Sequence, residues 1–328
     1  MAYWFLAAGI VLLIAGSEAA LRGGVGMARV LRISPVLIGL LVIASATAAP
    51  ELFVSLRAAT AGAPDIALGD VLGGNIFMLL FALGFGALIR PMASPPKVVL
   101  RDGGAMLAGA LVLVFFALKG DLTRRDGLFL FLGFIAYLVV TFFTDWRRSA
   151  DHSVVLSRAL ARSQGEPLPV VGGLFLLLLG LICLVLGAVF TVDGSVALAR
   201  ALHLQQAFVG LTIIAFGTSL PKLIAALVAI VRGRTDVAVG LLIGAIVFNL
   251  LGVLGITAMV APLAISPALA STGVYVVAAV SAGLLPLLAM RWRLSRPRGL
   301  LLTLCYVCYI TFLIWRQGLL PLSLIGIR

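Results

Sequence analysis

Apolar stretches of about twenty residues follow one another along almost the whole chain, and they constrain its fold more than any other feature. A helix that crosses a bilayer needs about 20 consecutive, mostly apolar residues. Charged residues, prolines and glycine clusters divide the sequence into about ten such stretches. We predict membrane helices at residues 3–21, 35–60, 66–89, 103–118, 127–146, 170–190, 206–231, 237–262, 267–290 and 299–315.

The composition excludes a soluble globular protein. Of the 328 residues, 62% are hydrophobic and 11% are charged, whereas soluble domains carry about a quarter charged residues. The net charge of +12 does not indicate nucleic-acid binding, because nearly all Lys and Arg residues lie between the apolar stretches. We therefore expect an all-α membrane protein whose surroundings are the lipid bilayer, with no nucleic-acid partner.

The distribution of basic residues predicts the orientation of the helices. Loops rich in Lys and Arg stay on the cytoplasmic side. If the N-terminus lies outside, sixteen basic residues fall in cytoplasmic loops and seven fall on the opposite side. This count places both the N- and the C-terminus outside the cell.

The sequence repeats itself with an offset of 171 residues. Residues 9–84 align without gaps to residues 180–255, with 27 identities in 76 positions. Five predicted crossings separate equivalent positions, so the second copy enters the bilayer in the opposite direction. We predict two five-helix inverted-topology repeats, residues 1–146 and 170–328, joined by a cytoplasmic linker at 147–169. Inverted repeats are typical of secondary transporters, which bind substrate near the bilayer midplane between the repeats.

Two prolines at equivalent positions, Pro50 and Pro221, lie in the middle of predicted membrane helices. Proline has no N–H and displaces the carbonyl four residues earlier, so we predict helix breaks that free the carbonyl oxygens of Ala46 and Gly217. Such oxygens need partners inside a membrane. Polar side chains beside the prolines complete an oxygen-rich candidate cation site, and they are Thr47, Glu51, Thr218 and Ser219.

The next helix of each repeat adds further candidate ligands. Asp70 and Met78 share one helix face in the first copy, and Asn249 is the repeat equivalent of Met78. Small residues between them allow close helix approach.

These segments resemble a known family. The runs Ala46–Glu51 and Gly217–Lys222 are similar to the Gly-Thr-Ser-x-Pro-Glu signature of sodium/calcium exchangers in the cation/calcium antiporter superfamily. Residues 69–78 and 240–249 resemble the same family's Gly-Asn-x-x-Gly-Ser-Asn-Ile-Phe-Asn motif. The resemblance implies a bacterial-type ten-helix antiporter of the plasma (inner) membrane. It also implies that carboxylates and neighbouring polar groups bind the transported ions.

The sequence departs from this family pattern at the ion ligands. Lys222 replaces the second signature glutamate, Met78 replaces an asparagine, and Asp70 stands where the family has asparagine. At about 5 Å and an effective dielectric of about 20, an ammonium repels a calcium ion by roughly 7 kcal/mol. We therefore expect Lys222 to pair with Glu51 or Asp70, which are also the two candidate metal ligands.

Three functional hypotheses follow. The first is a secondary active antiporter that works by alternating access, with altered coupling of Na+, H+ or Ca2+ through Glu51, Asp70 and Lys222. The second keeps the fold but transports an anionic or zwitterionic substrate recognised by Lys222. The third is a non-transporting membrane subunit. An enzyme is not expected, because His152 and His203 lie in loops and no catalytic motif is present; no cofactor is expected either.

Overall fold

The computed structural model describes residues 2–30, 44–145 and 170–319, and these residues form ten helices. The first repeat contains α1 (Ala2–Val30), α2 (Ala44–Thr60), α3 (Pro64–Ile89), α4 (Val98–Lys119) and α5 (Arg124–Asp145). The second contains α6 (Val170–Ala201), α7 (Gln206–Val231), α8 (Thr235–Val260), α9 (Pro267–Ala289) and α10 (Arg296–Arg316).

Nine of these helices are long and apolar enough to cross a membrane, within the part of the chain that is described. The exception is α2, whose described length is 17 residues. Residues 35–43 of the predicted second membrane segment lie outside the described ranges, as do the predicted linker at 147–169 and residues 320–328. The prediction of an all-α membrane protein is confirmed.

Several helices contain π-helical turns, in which the backbone hydrogen bonds are one residue wider than in an α-helix. These turns are Phe77–Ala82 in α3, Val98–Asp102 in α4, Gly210–Ile214 in α7, Phe248–Val253 in α8 and Ala270–Val274 in α9. The turns in α3 and α8 are 171 residues apart, so the two sequence repeats also share this irregularity. Such turns are frequent at functional sites.

The predicted helix breaks at Pro50 and Pro221 are wrong in one respect. Pro50 lies inside the continuous helix Ala44–Thr60, and Pro221 lies inside the continuous helical segment Ala215–Val231. Each proline removes a single backbone donor, and one missing hydrogen bond does not end a helix whose flanking turns are held by tertiary packing. The missing donors still leave the carbonyls of Ala46 and Gly217 without their usual helical partners.

Two short β-ladders join the halves of the chain. Met92–Ala93 (β1) follows α3 and pairs antiparallel with Arg293–Leu294 (β4), which follows α9. Asp121–Leu122 (β2) follows α4 and pairs antiparallel with Leu263–Ala264 (β3), which follows α8. Each ladder therefore links one repeat to the other.

Helices α1 and α6 pack closely against each other in antiparallel directions. A methyl group on Gly16 would lie 2.9 Å from the Gly180 carbonyl oxygen and 2.9 Å from the Leu184 backbone nitrogen. A methyl group on Gly180 would meet the backbone of Ala20 and Gly16 in turn. Glycine is required at both positions because the two backbones touch, and the antiparallel direction is the one that inverted repeats demand.

The centre of the molecule is formed by α3 and α8. In their most apolar 18-residue windows, 78% of the α3 residues and 61% of the α8 residues are buried, against 17% in α5 and 22% in α10. Helices α2 and α7, which carry the two prolines, both pack against α3. The polar side chains that these four helices place at the centre are buried: Glu51, Asp70, Asn75, Lys222 and Asn249.

Candidate functional site

A buried ion pair joins the two proline-containing helices. The Lys222 ammonium on α7 lies 2.6 Å from the Glu51 Oε1 atom on α2. The Lys222 side chain is 1% exposed and the Glu51 side chain is 0% exposed. Of the two partners expected for Lys222, the structure selects Glu51.

Two buried asparagines extend this pair into a network. The Lys222 Nζ atom donates to the Asn249 Oδ1 atom at 3.3 Å, and the Asn249 Nδ2 atom donates to the Asn75 Oδ1 atom at 3.0 Å. Asn249 lies in the π-helical turn of α8, and Asn75 lies just before the equivalent turn of α3. The network therefore connects α2, α7, α8 and α3 at the centre of the molecule.

Asp70 forms a second polar contact between α3 and α7. The Thr218 hydroxyl donates to the Asp70 Oδ1 atom at 2.6 Å, and both side chains are fully buried. Among the described residues, no hydrogen-bond donor reaches the Asp70 Oδ2 atom. Thr218 and Lys222 lie four residues apart and so share one face of α7, and Asp70 and Glu51 contact these two residues in turn. All three ionisable groups therefore belong to one site.

The other predicted ligands lie around this centre with different environments. The Ser219 hydroxyl lies near the Glu51 carboxylate but makes no hydrogen bond of good geometry to a described residue. Thr47 is half-buried on α2. Met78 is fully buried and presents an apolar side chain. Gly217 packs beside Ile10 of α1, whose Cγ1 atom would lie 3.0 Å from a methyl group at this position.

The Ala46 carbonyl already has a hydrogen-bond partner. The Ser17 hydroxyl on α1 donates to the Ala46 oxygen at 2.8 Å, and Ser17 is buried. The sequence analysis missed both Ser17 and Asn75. Asn75 had a usable signal, since an amide within a strongly apolar segment needs a polar partner. Ser17 had none, because a serine in a membrane helix usually bonds to its own backbone.

The charges of the site favour a cation over an anion. Glu51, Asp70 and Lys222 together carry one net negative charge when all three are ionised, and the ammonium is already paired. No group of three or more His, Cys, Asp or Glu side chains with metal-binding geometry occurs within residues 2–30, 44–145 and 170–319. Glu51 and Asp70 are the two carboxylates of this site, whereas a calcium ion in a protein normally contacts six to eight oxygens.

Comparison with known proteins matches the chain over nearly its full length. The family model described as sodium/calcium exchanger protein matches residues 1–143 and 172–315. The inner membrane protein YrbG of Escherichia coli is 35% identical over 323 residues, covering 96% of this chain and 97% of YrbG. The sodium/calcium exchanger MaX1 of Methanosarcina acetivorans is 27% identical over 347 residues, covering 95% of this chain and 98% of MaX1.

A solved structure shows the same fold. The sodium-calcium exchanger NCX_Mj, soaked with 2.5 mM Na+ and 10 mM Sr2+, superposes with a TM-score of 0.57 at 27% sequence identity. The match covers 94% of this chain and 98% of the NCX_Mj chain.

Proposed function

The chain belongs to the sodium/calcium exchanger protein family and is a secondary antiporter of the bacterial inner membrane, and we propose that its cation coupling runs through Glu51, Asp70 and Lys222. Alternating access operates on a site between the two five-helix repeats, residues 1–146 and 170–328, which residues 147–169 link. The transported cations bind without a cofactor, and the transporter is not an enzyme.

One observation carries this proposal: the Lys222 ammonium lies 2.6 Å from the Glu51 carboxylate in a fully buried position. A charge at the bilayer midplane costs about 3 kcal/mol or more unless it is paired. The ammonium therefore acts as a tethered positive charge that replaces one cation of the exchange cycle.

The one net negative charge that remains after Lys222 pairs with Glu51 determines which ion the site can bind. Asp70 adds a second carboxylate, whose Oδ2 atom has no donor among the described residues. One monovalent cation, Na+ or H+, neutralises the three groups, whereas a calcium ion would meet the ammonium at close range. The polar groups around a bound Na+ are Thr47, Thr218, Ser219, Asn249 and the carbonyl oxygen of Gly217. The Ala46 carbonyl oxygen is held by the Ser17 hydroxyl, and Met78 contributes only an apolar thioether side chain.

The alternative of an anionic substrate receives less support. An anion would have to displace Glu51 from Lys222 and would face the negative charge of Asp70 nearby. Both effects raise the free energy of an anion in the site.

Flux measurements test the proposal directly. Purified protein in proteoliposomes should exchange a cation when a sodium gradient or a proton gradient is imposed. Failure to move any cation under either gradient would contradict the proposal and would favour a non-transporting subunit.

A single substitution tests the role of the ammonium. Lys222→Glu raises the number of carboxylates at the site from two to three and removes the repulsion of roughly 7 kcal/mol, so titration calorimetry should show calcium binding to this variant but not to the native protein. Lys97→Glu makes the same charge change at an exposed lysine just before α4, whose Nζ atom donates to the Thr144 carbonyl oxygen, and should show no calcium heat. Absence of calcium heat with Lys222→Glu would count against the proposed site.

A further inference from the structure

The Ala46 carbonyl occupies an unusual position in the first repeat. In a regular helix its oxygen would accept a hydrogen bond from the backbone N–H of residue 50, but Pro50 has no N–H. Ala46 lies on α2, five residues before Glu51, which corresponds to about 7 Å along a helix axis. A carbonyl without a donor in this apolar interior needs another partner, and a cation bound at Glu51 is one possible partner.

Ser17 supplies that partner from a different helix. Its hydroxyl donates to the Ala46 oxygen at 2.8 Å across the contact between α1 and α2. The Ser17 side chain is 4% exposed, so water does not compete strongly for this hydrogen bond. The interaction holds the carbonyl toward α1.

The second repeat lacks the equivalent hydroxyl. With the 171-residue offset, Ala46 corresponds to Gly217, and Ser17 corresponds to Ala188. Ala188 is buried on α6, and its methyl side chain cannot donate a hydrogen bond. The two proline-linked carbonyls therefore differ: the one beside Glu51 is bound by a serine, and the one beside Lys222 has no matching serine.

We propose that Ser17 is a positioning residue that limits the cation affinity of the site by keeping the Ala46 carbonyl from coordinating the ion. This inference rests on the proposed cation transport through the same site. Removal of the hydroxyl takes away the donor that α1 supplies to the Ala46 oxygen, and the oxygen can then turn to the bound cation.

The test measures uptake of radioactive sodium into proteoliposomes as a function of sodium concentration. Ser17→Ala should lower the half-saturating sodium concentration about fivefold to tenfold, which corresponds to the net free energy of about one ordinary hydrogen bond, while the maximum rate stays within about twofold. Ser17→Thr retains the hydroxyl and should return the half-saturating concentration to the native value.

Ser55→Ala is the matched control. The Ser55 hydroxyl is also fully buried and donates to a backbone carbonyl, that of Ala67 at 3.3 Å, but that carbonyl is not one freed by a proline. Ser55→Ala should leave the half-saturating concentration unchanged. An unchanged value in Ser17→Ala, or an equal shift in Ser55→Ala, overturns the role of Ser17 while sodium transport itself stands. A native protein that transports no sodium overturns the role of Ser17 together with the sodium coupling on which it rests.

Discussion

The two repeats of this protein have nearly the same backbone at the site but opposite chemistry. Helices α3 and α8 carry their π-helical turns at equivalent residues, and α2 and α7 carry equivalent prolines. Yet Glu51 in the first repeat corresponds to Lys222 in the second, and Asp70 corresponds to Leu241. The fold is thus compatible with either charge, and the side chains alone decide what the site binds.

The geometry explains why the pair forms. Glu51 and Lys222 are 171 residues apart, the offset of the repeat itself, and they contact each other. Equivalent residues of two inverted repeats meet only near the axis that relates the repeats. Identical acids at this axis would repel each other and require a cation between them, whereas an acid and a base neutralise each other without one.

The largest expected effect comes from breaking this pair. Glu51→Gln leaves the Lys222 ammonium buried without a counter-charge, and we expect a loss of about 3–5 kcal/mol in the free energy of unfolding, together with loss of transport. Thermal melting of the purified protein measures the stability change.

Exchanging the charges between the repeats serves as the control. The double variant Glu51→Lys with Lys222→Glu restores an acid and a base at the axis and should recover most of the lost stability. If Glu51→Gln costs less than about 1 kcal/mol, the ion pair is not an important stabilising contact.

A pair of equivalent glycines should give the next largest difference. A methyl group on Gly73 would collide with the Leu211 carbonyl oxygen and the Ala215 side chain, whereas one on Gly244 would come no closer than 4.0 Å to the Tyr137 hydroxyl. Gly73→Ala should therefore destabilise the protein by about 2 kcal/mol or more. Gly244→Ala should be neutral or stabilise it by up to about 1 kcal/mol, because alanine favours the helix.

Melting temperatures of these two alanine variants, compared at equal detergent and salt, distinguish the two environments. Equal shifts of the melting temperature in both variants would mean that the two repeats pack equally closely around Gly73 and Gly244, in contradiction to the contacts observed.

The smallest effect concerns an ion pair at the end of α2. Arg57 lies 2.9 Å from Asp193 of α6, and both side chains are partly exposed. Its repeat equivalent is Val228, so α7 has no matching charge. Arg57→Ala should cost about 0.2–1 kcal/mol, with less effect at high salt. Arg22→Ala, which breaks an ion pair within α1 alone, provides the comparison. If Arg57→Ala lowers the free energy of unfolding by more than about 2 kcal/mol at every salt concentration, Arg57 has a role beyond ion pairing.

Most of the fold could be predicted from the sequence because membrane helices are set by local composition. The apolar stretches, the repeat offset and the prolines all appeared as patterns along the chain, and most described helices begin and end within a few residues of the prediction. The exceptions are α4, which begins at Val98 rather than near residue 103, and α1 and α6, which extend about ten residues beyond their predicted ends. The continuity of α2 and α7 through their prolines could not be predicted, since it depends on partners that other helices supply.

The site was only partly predictable for the same reason. Glu51, Asp70 and Lys222 stood out because charges are rare inside apolar segments, and that rarity alone marked them as functional. The choice of Glu51 over Asp70 as the partner of Lys222, the Asn75–Asn249 contact and the Ser17 hydrogen bond to Ala46 are all contacts between distant segments. Their existence follows from helix packing, which the one-dimensional pattern does not contain.

The sequence by itself determined that this protein lies in a membrane, that it consists of two related halves and that two of its three buried charges, Asp70 and Lys222, depart from its family pattern. The tertiary structure decided how those charges combine. It brings the repeat-equivalent residues Glu51 and Lys222 to within 2.6 Å of each other and leaves Asp70 bound to Thr218. The physical reason is that an apolar interior makes an unpaired charge costly, while only the packing of the helices determines which partner is within reach.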